Sequence, residues 1–353
     1  MKKFLSLLLV SFLAVGLFAC GGEEETYEIA LVTDVGNIDD ESFNQGAWEG
    51  VVEYGDEFEV SYTYYRPSED SDAARIETIE AAIAAGAKVV VCPGYLFETA
   101  IYSVQDDYPE VSFLLLDGEP QAGDYTTYFT ADNTHNVLYQ EEQAGFLAGY
   151  AAVMDGYREL GFVGGMAVPA VVRYGYGYVQ GAEYAATELG LTAGDVNIKY
   201  YYAGAFEPST DLEAKMDVWY VDGTEIVFAC GGSLYESVVA AAESAGADVI
   251  GVDVDQSSVS DTIITSAMKG LTVSVYDALT EFYDNDEAWP EDLAGVTSTL
   301  GASTNGIGLP TADDSWGFAT FTLAQYEAIF ALLVDETVVV DSATDTVPTT
   351  TLV

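Results

Sequence analysis

From Tyr27 onward, short apolar runs alternate with longer amphipathic stretches. The runs predict strands at 28–33, 59–65, 87–91, 112–116 and 126–130, and a second series at 159–164, 196–202, 225–229, 248–252 and 262–266. Helical periodicity occupies most of the gaps, at 43–54, 73–85, 96–107, 140–154, 175–189, 234–245 and 272–283. Strands apolar along their whole length, separated by helices of roughly 10–15 residues, imply parallel sheets covered on both faces. The expected fold is α/β, arranged as two doubly wound, Rossmann-like lobes.

A faint repeat supports two lobes. Val89-Val90-Val91-Cys92-Pro93-Gly94 and Val227-Phe228-Ala229-Cys230-Gly231-Gly232 are each followed by a helix and then a strand ending in an aspartate, Asp117 or Asp253. Ligands of open α/β sheets bind beyond the carboxyl ends of the strands. Two such lobes face to face would gather Asp34, Asp117 and Asp253 around one cleft. A lone strand-end aspartate is usually a cap or turn residue, but three at comparable positions point to a site.

The amino terminus is a processing segment rather than part of the fold. Lys2 and Lys3 precede an apolar run from Phe4 to Phe18, too short for a spanning helix of about 20 residues. Leu17-Phe18-Ala19-Cys20 resembles a bacterial lipobox, and Gly21-Gly22-Glu23-Glu24-Glu25 reads as a polar tether. The expected division is a signal peptide at 1–19, lipid-bearing Cys20 with its tether at 20–26, a first lobe at 27–131 plus 254–284, and a second at 132–253 plus 285–353. Acyl chains on Cys20 would hold the protein on the extracytoplasmic face of a cell membrane. Cys92 and Cys230 end apolar runs and read as buried thiols, although export would permit a disulfide.

Composition narrows the function by exclusion. Ten basic residues against 59 acidic ones give a formal charge of −49, which repels phosphate backbones and makes nucleic acid a poor partner. Half of the residues are hydrophobic, which argues against charge-driven disorder. There is no phosphate-binding loop, and Gly175-Tyr176-Gly177-Tyr178-Val179-Gln180-Gly181 has one residue too many for a dinucleotide fingerprint, so its glycines read as close packing. One His and three Cys leave little for a metal site, and His135 reads as a solvated loop or helix-start residue without a nucleophile beside it. Asp284-Asn285-Asp286-Glu287 lacks the EF-hand pattern and reads as an acidic turn. No cofactor and no enzymatic activity are expected.

The most informative stretch runs from Ile29 to Gly50. A strand ends at Asp34, a loop follows, and a helix begins near Ser42, which has capping-box spacing to Gln45. Phe43 and Asn44 then sit in the first helical turn, where the amide of Asn44 is suited to reading a polar ring edge.

This stretch resembles the basic membrane protein family of bacterial surface lipoproteins, which includes purine nucleoside receptors. The likeness returns in Gln143-Ala144-Gly145-Phe146-Leu147-Ala148-Gly149-Tyr150, in Leu160–Gly165, in Gly204-Ala205-Phe206, in Val249–Gln256 and in Thr265–Lys269. It implies a type I periplasmic-binding-protein-like fold with a ligand cleft between the lobes, acting as the solute-binding component of an ABC importer. The implied ligands are purine nucleosides (adenosine, guanosine or inosine), and the implied partners are an ABC permease and the membrane, reached through the lipid anchor; the protein is expected to be a monomer. By motif, Phe43 and Phe206 are expected to sandwich the base, with Asp34 and Asn44 at its edge or on the cleft floor. Asp117 is expected to hold base or ribose beside the Gly232 backbone, and Asp253 and Lys269 to grip the ribose hydroxyls. The alternatives are another small polar ligand on the same fold, such as a sugar or signalling molecule, and a nucleoside hydrolase built on Asp34, Asp117 and Asp253.

Overall fold

The computed structural model describes residues 26–353; the proposed signal segment and Cys20 lie outside them. Two six-stranded sheets carry the fold. The first holds β1 (Ile29–Val32), β2 (Tyr62–Tyr65), β3 (Val89–Pro93), β4 (Ser112–Leu116), β5 (Thr134–Tyr139) and β11 (Thr297–Leu300). They lie in the order β11-β5-β4-β3-β1-β2, all parallel. The second holds β6 (Glu159–Gly164), β7 (Asn197–Tyr202), β8 (Ile226–Cys230), β9 (Asp248–Asp253), β10 (Ile263–Lys269) and β12 (Ile307–Gly308). Its order is β12-β10-β9-β8-β6-β7, with β12 antiparallel. Place for place, β3 matches β8 and β4 matches β9, so the sequence repeat is a structural one. Every residue of β3, β4 and β8 is buried, as strands covered on both faces require.

The helices are α1 (Phe43–Phe58), α2 (Asp72–Ala84), α3 (Glu98–Val104), α4 (Glu141–Asp155), α5 (Pro169–Glu188), α6 (Thr210–Val221), α7 (Tyr235–Ala245), α8 (Leu271–Asp284) and α9 (Leu323–Val334). α4 is buried from Ala144 to Val153, because it is wedged against α5. Glycines allow this approach. A Cβ built on Gly145 or Gly149 would lie 2.0 Å from the Tyr174 or Tyr178 carbonyl oxygen. On α5, one at Gly177 or Gly181 would lie 2.0 or 1.9 Å from the carbonyl oxygen of Glu142 or Phe146. The glycine-rich run therefore serves packing, as its spacing predicts.

The chain passes between the sheets after β5, after β10 and after β11. Residues 134–139 and 297–300 thus pair in the first sheet and 263–269 in the second, whereas the sequence division put them in the opposite lobes. The breaks in pattern at 131, 253 and 284 fall in a loop, at the end of β9 and at the end of α8, while the real crossovers are tight. Gln140 N–H, for example, donates to Leu300 O at 2.8 Å across two of them. The expected strand at 126–130 is absent; that segment makes one isolated bridge, Gln121 to Tyr128. His135 is a second correction. It lies in β5, buried, with Nδ1 donating to the carbonyls of Val296 at 2.9 Å and Leu293 at 3.2 Å, and burial lowers its pKa. The polar run Thr134-His135-Asn136 conceals a strand whose side chains bond internally, through Thr134 Oγ1, His135 Nδ1 and Asn136 Nδ2. No helix among the described residues is long and apolar enough to cross a membrane.

The surface charge carries a stability prediction. With 10 basic residues in the sequence, the 59 acidic ones cannot be neutralised by pairing, and self-repulsion works against the compact state. Raising salt from about 0.1 M to about 1 M shortens the screening length from about 10 Å to about 3 Å. The melting temperature followed by calorimetry is expected to rise by at least about 5 °C over that range; a flat or falling trend would show that repulsion is not limiting.

Candidate functional site

The carboxyl ends of both sheets open onto one cleft, which encloses about 100 Å³ of space open to the centre of a water molecule. Asp34, Phe43, Asn44, Asp117, Phe206, Gly232, Asp253 and Lys269, the eight residues singled out in the sequence, all line it. Asp40, Tyr95 and Tyr174 line it as well and were not anticipated.

The floor on the first lobe is the loop from β1 into α1. Asp40 closes the start of the helix: Oδ1 accepts from Ser42 N–H at 2.9 Å and Gln45 N–H at 3.1 Å. Its Oδ2 accepts from Asn44 Nδ2 at 2.8 Å and Asn44 N–H at 3.3 Å. The capping box expected from Ser42 and Gln45 does not form. Ser42 stands at the N-cap position, but its Oγ crosses the cleft to donate to Asp253 Oδ2 at 2.7 Å, and Gln45 Oε1 takes Glu41 N–H at 2.9 Å. Gln256 Nε2 likewise donates to Glu41 O at 2.6 Å, so two hydrogen bonds tie this loop to the second lobe. Asp40 does the capping because its shorter, charged side chain sits before the turn, where an anion meets the exposed N–H groups.

Asp117 and Asp253 end the matching strands β4 and β9 and share a left-handed backbone, with φ of 58° and 68°. Asp tolerates that region better than bulky residues, and strained backbone of this kind collects at functional sites. Lys269 ends β10 between them. Its Nζ contacts Asp117 Oδ2, lies 3.2 Å from Glu141 Oε1, and faces the rings of Phe43, Tyr139 and Tyr174 at 4.8, 5.3 and 5.5 Å. Glu141 is held in turn by Arg173 Nε at 2.5 Å. Burial penalises the Lys269 ammonium, but Asp117, Glu141 and Asp253 outweigh it and raise its pKa, so it stays charged. Burial pushes the Asp117 carboxyl up to about 7 against the pull of Lys269, and it raises Asp253 and Asp34 as well. For Glu141 burial is overcome by Lys269 and Arg173, and its pKa falls. Asp117 lines the cleft, and its Oδ1 is buried without a hydrogen-bond partner.

Aromatic rings bound the cleft on both lobes. Phe43 projects from the first turn of α1, half-buried. Phe206 lies on a glycine floor: a Cβ built on Gly165 or Gly231 would come within 2.2 or 2.8 Å of its ring. One on Gly232 would come within 2.8 Å of Phe206 O, and Gly232 also has φ of 54°, so backbone occupies this wall where a side chain cannot. Cys92 and Cys230 are both free and buried, with burial raising their pKa, as expected of inert thiols. Among the described residues no group of acidic, His or Cys side chains is arranged to hold a metal ion.

Comparison with known proteins agrees with this architecture. A family profile described as "ABC transporter substrate-binding protein PnrA-like" matches residues 28–325. Basic membrane protein A1 of Borrelia garinii subsp. bavariensis is 30% identical over 274 residues, 74% of this chain and 76% of that one. The ABC transporter nucleoside-binding protein BmpA of Lactococcus lactis subsp. cremoris is 27% identical over 240 residues, 64% of each chain. An ABC transporter solute-binding protein from Aeropyrum pernix K1 superposes with a TM-score of 0.70 at 24% identity, covering 88% of this chain and 80% of that structure, which marks the fold as that of type I periplasmic binding proteins. With two matched α/β lobes around a cleft and a family match over most of its length, the chain belongs to the PnrA-like, basic membrane protein family of ABC transporter substrate-binding proteins.

Proposed function

We propose that this chain captures purine nucleosides between its lobes and hands them to an ABC permease, held to the outer face of the membrane by acyl chains on Cys20. The observation that carries the reading is the pairing of an aromatic ring, Phe43, with a buried Asp117–Lys269–Asp253 set in one cleft. A heterocycle stacks on an aromatic face, and vicinal hydroxyls donate well to carboxylates while a lysine donates back. The relative in Lactococcus lactis is itself named a nucleoside-binding protein. Phe206 and Gly232 complete the opposite wall, and Asp34 meets the base edge. Closure brings the lobes together, and the permease reads the closed form.

Isothermal titration calorimetry with adenosine, guanosine and inosine tests the reading; binding of a sugar instead, or of none of these, sinks it. The lining carries Asp34, Asp40, Asp117, Asp253 and Glu207 against Lys269, so a phosphate would meet repulsion. AMP is therefore expected to bind at least about 100-fold more weakly than adenosine, and equal affinities would contradict the assignment of this cleft.

A further inference from the structure

Lys269 ends β10, in the second sheet, whereas Asp117 follows β4, in the first, so the contact between them crosses from lobe to lobe. Opening the cleft would take Asp117 away from the ammonium. Glu141 is placed differently. It opens α4, which packs on α5, β10 and β12 of the second lobe, and its side chain is fully buried. Oε1, which has no hydrogen-bond partner among the described residues, lies 3.2 Å from Lys269 Nζ. Oε2 accepts from Arg173 Nε at 2.5 Å, and Arg173 stands in the second turn of α5. Neither Glu141 nor Arg173 lines the cleft. Movement of the lobes therefore leaves Glu141 and Arg173 beside Lys269, while the Asp117 contact comes and goes.

From this placement we infer that Glu141 and Arg173 are positioning residues for nucleoside capture: Glu141 is the standing counter-ion that holds the Lys269 ammonium toward the cleft when the lobes part, and Arg173 fixes Glu141. The inference rests on the nucleoside reading above and adds to it two residues that touch no ligand. A buried ammonium left without a carboxylate carries an uncompensated desolvation cost, which it relieves by moving toward water or by losing its proton. Either change removes the donor that a ribose hydroxyl needs. Burial works against the Glu141 carboxylate, but Lys269 and Arg173 outweigh it and lower its pKa, so this counter-ion is present at neutral pH. Asp117, which burial pushes up to about 7, does not supply a constant charge there.

The charged groups around Asp117 are Lys269, Glu141, Asp253 and Arg173, while Tyr139, Tyr174 and Cys230 stay neutral there because burial raises their pKa. Glu141 contributes to the high Asp117 pKa, so its removal should lower that pKa. Calorimetry with inosine from about pH 5.5 to about pH 8.5 is the test. In the parent, affinity should rise with pH through a midpoint near 7, as Asp117 ionises and becomes a full acceptor. Glu141→Gln keeps an oxygen for Arg173; it should bind inosine about 10- to 100-fold more weakly and move the midpoint about 1 pH unit toward acid. A merely structural loss would weaken binding without moving the midpoint. The double variant Glu141→Gln, Arg173→Gln removes one charge of each sign and serves where the single variant does not fold. It should show the same weakening with a smaller acid shift, since Arg173 acts on Asp117 in the opposite sense. Parent-like affinity or an unmoved midpoint in the folded variant would overturn the inference while leaving the nucleoside reading intact. Failure of the parent to bind adenosine, guanosine and inosine overturns the nucleoside reading itself.

Discussion

Replacing Lys269 by Met is expected to lower the unfolding free energy by about 3–5 kcal/mol and to abolish solute binding. The side chain of Lys269 is 2% exposed and its counter-ions are nearly as dry, at 10% for Asp117 and 0% for Glu141. A buried pair contributes little net stability when intact, because desolvation offsets attraction. Removing one partner is different: the remaining carboxylates keep their desolvation cost and lose the charge that offset it. Met fills the volume of the lysine stem, so packing changes little and the electrostatic effect is isolated. The effect also has a pH signature. Without Lys269 the Asp117 carboxyl should rise above about 7, and since a carboxyl raised in the folded state destabilises progressively as pH climbs, the deficit should grow from pH 5 to pH 8. Urea unfolding followed by circular dichroism at both values checks this. The double variant Lys269→Met, Asp117→Asn should recover much of the loss, Glu141 retaining Arg173. A change below about 1 kcal/mol in the single variant would mean the cluster is hydrated and not a buried ion pair.

The extent to which this site could be read from sequence follows a physical division. Asp117 directly follows β4 and Asp253 ends β9, and strand ends are set by local apolar pattern, so their common placement at the mouth of the sheets followed from the repeat. Lys269, at the end of β10 and beyond the strand expected at 262–266, came only with the family resemblance. Partnership was another matter. Ser42 looked like a local cap and instead bonds Asp253, 211 positions away; Asn44 looked like a ligand contact and is spent on two neighbouring aspartates. Spacing reports which residues share a turn, not which of several acceptors a donor chooses. Glu141 and Arg173 escaped notice for a related reason, since charged residues at helix starts ordinarily face water, and only the crossovers between lobes bury these. The lobe boundaries were misplaced because β5 opens on three polar residues and β11 is short and polar, and β11 gains its place in the sheet from β5, a neighbour distant in sequence.

Gly181→Ala is the second change expected to have a large effect, because two contributions of opposite sign meet there. In a helix interior Ala is favoured over Gly by about 1 kcal/mol, so if α4 and α5 could part slightly the variant would be more stable than the parent. The added Cβ would lie 1.9 Å from Phe146 O, a backbone atom of a helix that is itself buried on all sides, and no rotamer change relieves that. Steric cost should therefore win, by about 3 kcal/mol net. Gly190→Ala, just past the end of α5, is the matching control: nothing lies within 4 Å of its Cβ position and its φ is 67°, so it should cost only about 1 kcal/mol through backbone strain. The seam also reaches the cleft. Gly177 abuts Glu142, and the same contact sets Arg173 against Glu141 and Tyr174 against Ala267 O, where its hydroxyl donates at 3.2 Å. Forcing α5 outward would carry Arg173 and Tyr174 away from Lys269, so Gly177→Ala should weaken nucleoside binding in proportion to its loss of stability. Thermal melts paired with calorimetric titration read both quantities. A neutral or stabilising Gly181→Ala would show that the helices part easily and that propensity outweighs packing, whereas a destabilised Gly177→Ala with full affinity would uncouple the seam from the site.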